Sequence, residues 1–342
     1  MVLHIFVENK RGPTGMIDLK AASKSKVVWV DANPMTFDNN VSHKLIKLLS
    51  LSEATQSLNE GMEAVLKVNT SEDGYVYGLR PMFVRVVAEE IGRVTKNHPA
   101  ICDGIKLVDY WRKAKGNFFL KTAYAGGYSN DTLGGNFVIN GGFSGDEGNL
   151  YQIDCENNIL GGVKVGTAIC RSDKLWVLSH VTVHPLFGLN GALLNGGFEC
   201  LVCSERTRVL RGLDPYPFNG LSDSVEDLEM FCRRSLESHL GVAKSLNGSI
   251  FYVNYLWDVT VQPDYFPFSD SPFVENIGFL ASNDPVALDA ATYSLLQERL
   301  SVSGIEKRNF IYERTNVEFT NVLAQAEALG LGSLKYELTH VF

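Results

Sequence analysis

The sequence lacks the long apolar runs and the excess of basic residues that mark membrane-spanning and nucleic-acid-binding proteins. No segment approaches the roughly 18–20 uninterrupted apolar residues of a membrane span, and the N-terminus lacks the apolar length of a signal peptide. The 31 Lys and Arg residues are outnumbered by 39 Asp and Glu residues, which gives a net charge of -8. Nucleic-acid binders normally carry a basic patch. We therefore expect a cytoplasmic protein that binds neither membranes nor nucleic acid.

Cysteine is also scarce, with only six residues in a chain of 342. These cysteines are too few and too scattered for a disulfide scaffold. Cys200 and Cys203 form a single Cys-x-x-Cys pair, whereas a four-cysteine iron–sulfur or zinc site needs a second pair. A redox dithiol is an alternative, but two small buried side chains are the preferred interpretation.

What the chain does have is the length and the 45% hydrophobic content to build two lobes. From residue 26 onward, strand-like apolar runs alternate with segments of helical periodicity, which favours an α/β fold. We predict two α/β lobes, residues 26–212 and 213–342, with mixed, mostly parallel sheets and a cleft between them. Residues 1–25 are predicted to form an appended strand or hairpin, which pairs either within the chain or across a homodimer.

The most informative segment runs from Lys174 into two histidines and two glycines. It begins as an apolar run that predicts a buried strand, and the strand delivers His180 and His184 where it ends. Gly188 and Gly191 then indicate a tight turn into a helix. Ligands of open α/β sheets bind outside the carboxyl ends of the strands, where imidazoles can act as general acid and base. The alternative is that both histidines are core residues hydrogen-bonded to the backbone.

Charged side chains at other element ends complete the predicted site. Lys67 lies at the end of a predicted strand and would stabilise a developing enolate. Arg80 precedes a predicted helix and would clamp a carboxylate with two hydrogen bonds. Asp109 and Asp270 would contact the substrate or orient a histidine. Each lysine or arginine also has a structural alternative, a solvated strand end or a surface ion pair.

Five blocks of this sequence resemble those of a known family. They are residues 67–69, 79–85, 180–197, 268–274 and 277–289. The chain resembles, over roughly residues 26–300, the uncharacterised iron–sulfur center proteins of domain-of-unknown-function family 362. Family members usually carry a ferredoxin-like insert with cluster cysteines, but residues 205–225 at that place contain no cysteine, and Gln262-Pro263-Asp264-Tyr265-Phe266 replaces a Cys-Asp-Cys-like patch. The resemblance therefore implies a member without iron–sulfur chemistry.

The histidine segment is also similar, more distantly, to nickel-dependent lactate racemase. There a His-x-x-x-Gly-x-x-Gly-x-x-Lys pattern supplies a catalytic histidine and the lysine that tethers a nickel-pincer cofactor. His184, Gly188 and Gly191 fit this pattern, but Leu194 stands in place of the lysine. We therefore expect no such cofactor. The similarity implies two α/β lobes with histidines at the mouth of the cleft, and Asn195, next to Leu194, is included among the predicted substrate-binding residues.

Three functions are compatible with these residues. The first is an enzyme in which His180, His184 and Lys67 carry out acid–base chemistry on a small anionic substrate, a carboxylate or an amino-acid derivative. Isomerisation, epimerisation, elimination and cyclisation are all open, and no cofactor is predicted. The second is a metal-dependent enzyme, in which a transition metal binds both histidines and a carboxylate. The third is a non-catalytic binding or assembly protein that retains the fold.

Overall fold

The computed structural model describes residues 24–33, 36–107, 112–211, 213, 224–302 and 310–341. Two of the predictions from sequence fall outside these ranges. One is the role of Asp109, and the other is almost all of the N-terminal strand or hairpin, residues 1–25. Both stay predictions.

Eight of the twelve described strands form one mixed sheet, in which parallel pairs predominate as predicted. The strands are β1 (Ser25–Asp31), β2 (Ala64–Val68), β3 (Ala100–Gly104), β4 (Asn136–Asn140), β5 (Gly148–Gln152), β6 (Gly162–Gly166), β7 (Lys174–His180), β8 (Val183–His184), β9 (Gly188–Leu189), β10 (Ile250–Leu256), β11 (Gly278–Ser282) and β12 (Tyr336–Val341). The large sheet has the order β12-β1-β11-β10-β7-β2-β3-β4. Only β11 runs antiparallel to its neighbours.

Eleven described α-helices cover or connect these strands. They are α1 (Val41–Leu51), α2 (Pro81–Thr95), α3 (Gly116–Ala125), α4 (Asn130–Leu133), α5 (Thr167–Cys170), α6 (Ala192–Asn195), α7 (Cys203–Leu210), α8 (Val225–Ser245), α9 (Pro285–Val302), α10 (Tyr312–Thr315) and α11 (Phe319–Ala328). Three 3₁₀ helices span Phe37–Asn39, Arg112–Ala114 and Phe198–Cys200. Among the helices of the described ranges, none combines the length and the apolar character that a membrane span requires.

Strands from both predicted lobes lie in the same large sheet. β7, from the first predicted lobe, pairs in parallel with β10, from the second, and places His180 opposite Tyr255. β1 pairs with β11 and β12 across the same division. The division at residue 212 stays a prediction, but the hydrogen bonds of the sheet cross it.

The core lies on both faces of the sheet, which explains the uninterrupted apolar run of β7. Successive residues of a strand point to opposite faces. Leu175 and Val177 pack into the core that α8 and α9 cover, whereas Trp176 and Leu178 pack into the core that α1 and α2 cover. All seven residues of β7 are buried, as expected for a strand covered on both faces.

The turn that leads from β9 into α6 is fixed by a carboxylate from α9. Asp289 accepts the backbone N–H groups of Ala192 and Leu193, at the start of α6, at 2.8 and 2.9 Å. A Cβ atom on Gly191 would lie 2.4 Å from Asp289 Oδ1, so a larger residue would push this carboxylate away from the two N–H groups that it accepts. Gly188 has a φ of +87°, which glycine adopts without strain. The predicted tight turn into a helix is confirmed, and it brings Asn195 back towards the strands.

Candidate active site

Five parallel strands, β4, β3, β2, β7 and β10, end at the same edge of the large sheet, where a ligand is expected to bind. Charged and polar side chains are concentrated inside this edge. The buried ones are Lys67, Asn69, Thr70, Glu72, Asp103, Lys106, Lys113, His180, His184, Asn195, Glu199, Arg206 and Asp264. Burying so many charges is costly unless they compensate one another, and such clusters are common at functional sites. This edge is therefore the candidate site.

His180, the last residue of β7, faces a carboxylate that makes no hydrogen bond. Its Nε2 lies 3.0 Å from the Trp257 carbonyl oxygen. Because a carbonyl oxygen only accepts, Nε2 carries the ring proton. Its Nδ1 lies 3.5 Å from Asp264 Oδ2. Both side chains are fully buried, and neither Asp264 oxygen has a hydrogen-bond partner among the described residues. Two acceptor atoms thus face each other, with room for one shared proton.

A chain of hydrogen bonds brings Lys67, Asn195 and His180 together. Lys67 Nζ donates to Asn195 Oδ1 at 2.7 Å, and Asn69 Nδ2 donates to the same oxygen at 2.8 Å. Asn69 Oδ1 accepts the backbone N–H of His180 at 3.3 Å. Asn195 Nδ2 donates to Asn190 Oδ1 at 2.9 Å. Lys67 is therefore not a solvated strand end. It is a buried residue whose ammonium group is engaged with Asn195.

His184, the second predicted catalytic histidine, is held by hydrogen bonds at both ring nitrogens. Its Nδ1 accepts the N–H of Leu186 at 3.3 Å, so Nε2 carries the proton and donates to the Tyr265 hydroxyl at 3.0 Å. Burial lowers the pKa of His184 to about 4, against the opposing charges of Glu199 and Asp264. The ring is therefore neutral near neutral pH. Its contacts match the alternative of a core histidine.

We expect the protein to lose stability as the pH falls from about 6.5 towards about 4. Burial lowers the pKa of both His184 and His239 from 6.5 to about 4, so the unfolded chain binds protons that the folded protein does not. Each histidine contributes on the order of 3 kcal/mol, present above the unfolded pKa and lost as the pH falls through the folded pKa.

Urea denaturation at a series of pH values measures this dependence. Replacing His239 with glutamine should remove about half of the slope between these two pH values. A free energy of unfolding that stays constant over this range in the unmodified protein would contradict the neutral, buried state of the two histidines.

Arg80 and Asp270 lie outside the buried cluster. Arg80 is half-exposed and pairs with Asp258 at 2.7 Å. It lines a pocket of about 310 Å³ together with Tyr75, whose ring centroid lies 6.5 Å from that of His180. Tyr75 therefore connects this pocket to the histidine. Asp270 is exposed, and this position contradicts its predicted role of orienting a buried histidine.

A buried carboxylate that was not predicted as a site residue, Asp103, organises the lysines of the cluster. It accepts the Thr70 hydroxyl at 2.6 Å and lies 3.3 and 3.4 Å from the ammonium groups of Lys106 and Lys113. Burial raises the pKa of Asp103, but the charges of Lys106, Lys113 and Lys67 outweigh it and hold the pKa well below its usual range. A carboxylate inside the otherwise apolar run of β3 is the signal that could have indicated it.

A second unpredicted group surrounds a narrow cavity. Glu199 Oε2 lies 3.5 Å from Arg206 Nη1 and 3.9 Å from Lys106 Nζ, and has no hydrogen bond among the described residues. These three side chains line a cavity of about 20 Å³ with His184 and Tyr265. Burial raises the pKa of Glu199, but the charges of Lys106 and Arg206 lower it by more. The pKa of Glu199 therefore lies below its usual value. The cavity has room for one water-sized group.

The two histidines do not converge on a metal position in this arrangement. The lone pair of His184 Nδ1 is occupied by the Leu186 N–H, and only His180 Nδ1 is open. In the described part of the chain, no group of three or more His, Cys, Asp and Glu side chains could hold a metal ion. The metal-dependent alternative stays a prediction, and it requires these side chains to rearrange.

Two solved structures are similar to this chain at low sequence identity. The lactate racemase apoprotein from Thermoanaerobacterium thermosaccharolyticum matches with 12% identity and a TM-score of 0.41, over 75% of this chain and 55% of that one. A protein from Thermotoga maritima, from the Northeast Structural Genomics Consortium, matches with 15% identity and a TM-score of 0.36, over 71% of this chain and 56% of that one. The chain spans about half the length of these structures. No curated protein matches it.

A family model matches residues 64–294, which is more than half of the chain. The matched interval contains the whole candidate site, from Lys67 on β2 to Asp264 after β10. It also contains all five blocks that carry the resemblance seen in the sequence. The chain belongs to the family described as Domain of unknown function (DUF362).

Proposed function

We propose that this protein is an enzyme that transfers protons on a small anionic substrate, with His180 and Asp264 as the acid–base pair. The observation that carries this proposal is the fully buried Asp264 carboxylate, whose oxygens make no hydrogen bond within the described residues. Buried polar atoms are almost always paired, because an unpaired buried charge is strongly unfavourable. Such an exception beside an imidazole, at the carboxyl edge of a parallel sheet, supports a role in chemistry.

The pair is arranged to take up one proton and to give it back. The Trp257 carbonyl keeps the ring proton of His180 on Nε2, which leaves Nδ1 as an acceptor opposite Asp264 Oδ2. A proton that leaves the substrate binds to Asp264 and is shared with His180 Nδ1, so the pair gains the proton that the substrate loses. The reverse transfer returns it to the same or to another substrate atom. Isomerisation, epimerisation, elimination and cyclisation all include such steps.

The other predicted residues support this pair rather than join it. Lys67 and Asn195 act through Asn69, which holds the backbone of His180 at the end of β7. Arg80 lines the same pocket as Tyr75, whose ring centroid lies 6.5 Å from that of His180, and would attract an anion from solvent into that pocket.

Incubation of the protein in D₂O with a panel of small carboxylates tests this role. The panel contains saturated, unsaturated, hydroxylated and aminated acids, and proton NMR follows deuterium incorporation at carbon. We expect the wild type to label at least one acid and His180→Gln to leave it unlabelled. His239→Gln is the matched control, because His239 is also buried but bonds to Leu193 and Tyr252 instead. Labelling that survives His180→Gln, or no labelling of any acid, would contradict the proposal.

A further inference from the structure

The buried charges at the carboxyl edge balance while the His180–Asp264 pair lacks a shared proton. The described cations and carboxylates there number four each: Lys67, Lys106, Lys113 and Arg206 against Glu72, Asp103, Glu199 and Asp264. We call these eight residues and His180 the buried compartment. The 3.5 Å between His180 Nδ1 and Asp264 Oδ2 exceeds an N–H···O bond, as expected for two acceptors with no proton between them. Adding that proton leaves one uncompensated positive charge.

Three titratable groups near Asp264 keep one protonation state near neutral pH. Burial keeps His184 neutral, with a pKa of about 4. Burial also lowers the pKa of Lys113, but only to about 8, so this lysine already holds its proton. The charges of Lys106 and Arg206 outweigh burial and keep Glu199 ionised by lowering its pKa. The charge of Asp264 raises the pKa of five groups on the surrounding elements. They are Tyr75, Lys106, Lys113, Tyr128 and His184.

The narrow cavity lies beside Tyr265, the residue that follows Asp264. Lys106, Arg206 and Glu199 line it, and the neutral His184 adds no charge, so its lining has a net positive charge. Its volume of about 20 Å³ accepts one oxygen atom. A small carboxylate, the substrate class of the proposed function, can place one of its oxygens in this space.

We propose that the buried compartment takes up one proton together with one monocarboxylate anion, so that substrate binding itself loads the His180–Asp264 pair. The proton comes from solvent, one carboxylate oxygen lies between Lys106 and Arg206, and the net charge of the compartment stays constant. In the complex the pair therefore first donates this proton to the substrate, and the proton that the substrate later loses returns to the pair, so that the two transfers of the proposed function run in this order. Because this uptake rests on the proposed function of the same site, its test measures binding rather than turnover.

Calorimetric titration with formate, acetate and propionate, in two buffers of different ionisation enthalpy, counts the protons that accompany binding. We expect at least one anion to bind saturably with an uptake of about one proton per anion. Asp264→Asn should bring the uptake close to zero, and Lys106→Met should weaken binding about tenfold or more. Asp31→Asn and Lys44→Met are matched controls, because this ion pair of 2.7 Å lies at the end of β1, outside the compartment. Both should behave as the wild type does.

Anion binding without proton uptake overturns the inference, and so does uptake that survives Asp264→Asn. Absence of saturable binding by all three anions also overturns it. The proposed function fails in a different way. If anion binding brings in a proton but no carboxylate gains deuterium at carbon, the compartment binds as inferred and the enzymatic role is wrong.

Discussion

Replacing Asp103 with alanine is expected to lower the free energy of unfolding by about 3–5 kcal/mol. Asp103 is fully buried near the end of β3, and the ammonium groups of Lys106 and Lys113 lie 3.3 and 3.4 Å from its two oxygens. Removing the carboxylate leaves both ammonium groups in the interior without their closest counter-charge. Leaving a charge unpaired in the interior lowers the free energy of unfolding far more than leaving a charge unpaired at the surface.

Urea denaturation of the variant and the wild type at several pH values measures this loss. Lysine charges hold the folded pKa of Asp103 below its unfolded value, despite the opposing effect of burial. The carboxylate therefore stabilises the wild type fully above about pH 4, and this contribution is lost as the pH falls further. Lys244→Ala is the control, because its ion pair with Asp154 is exposed and is worth about 1 kcal/mol at most. A similarly small loss for Asp103→Ala would show that the lysines do not depend on it.

The elements that frame the site could be predicted because their signals are local. The uninterrupted apolar run of β7 is enough to predict a strand that is covered on both faces. Pro81 at the first position of α2 and the glycines before α6 act within one turn of the chain. A glycine is needed at position 191, however, because the Asp289 carboxylate approaches the backbone there from α9. No local sequence pattern reveals this contact.

The composition of the site could be predicted only in part, because its contacts join distant segments. His180 stands at the end of a predicted strand, and the structure keeps it there. His184 is close by in sequence, yet hydrogen bonds to Leu186 and Tyr265 occupy both of its ring nitrogens. Asp264 lies in an irregular segment after β10, so its lack of partners and its distance from His180 follow from tertiary packing alone. In the sequence, this residue stands out only as part of a replaced family motif.

Replacing Asp264 with asparagine is expected to remove most of the activity while raising stability. Deuterium incorporation should fall by about 10²–10⁴-fold, because an amide cannot hold the transferred proton. The free energy of unfolding should rise by about 1 kcal/mol, because a buried carboxylate without a hydrogen bond is removed and the new amide N–H can donate to His180 Nδ1. We expect this gain to outweigh the loss of the attraction between Asp264 and the charges of Lys106 and Lys113. A side chain that lowers stability and supports activity is what a stability–activity trade-off predicts at a functional site.

Asp289→Asn is the matched comparison, because Asp289 is also fully buried but is fully paired. Its oxygens accept N–H groups from Ala192, Leu193 and Asn254 at 2.7 to 2.9 Å. An amide in its place turns a donor towards these donors, so this variant should lose stability, opposite in sign to Asp264→Asn. Denaturation and deuterium incorporation are measured side by side on both variants. If Asp264→Asn instead lost stability and kept its labelling activity, Asp264 would be a structural carboxylate like Asp289, and the acid–base pair would not exist.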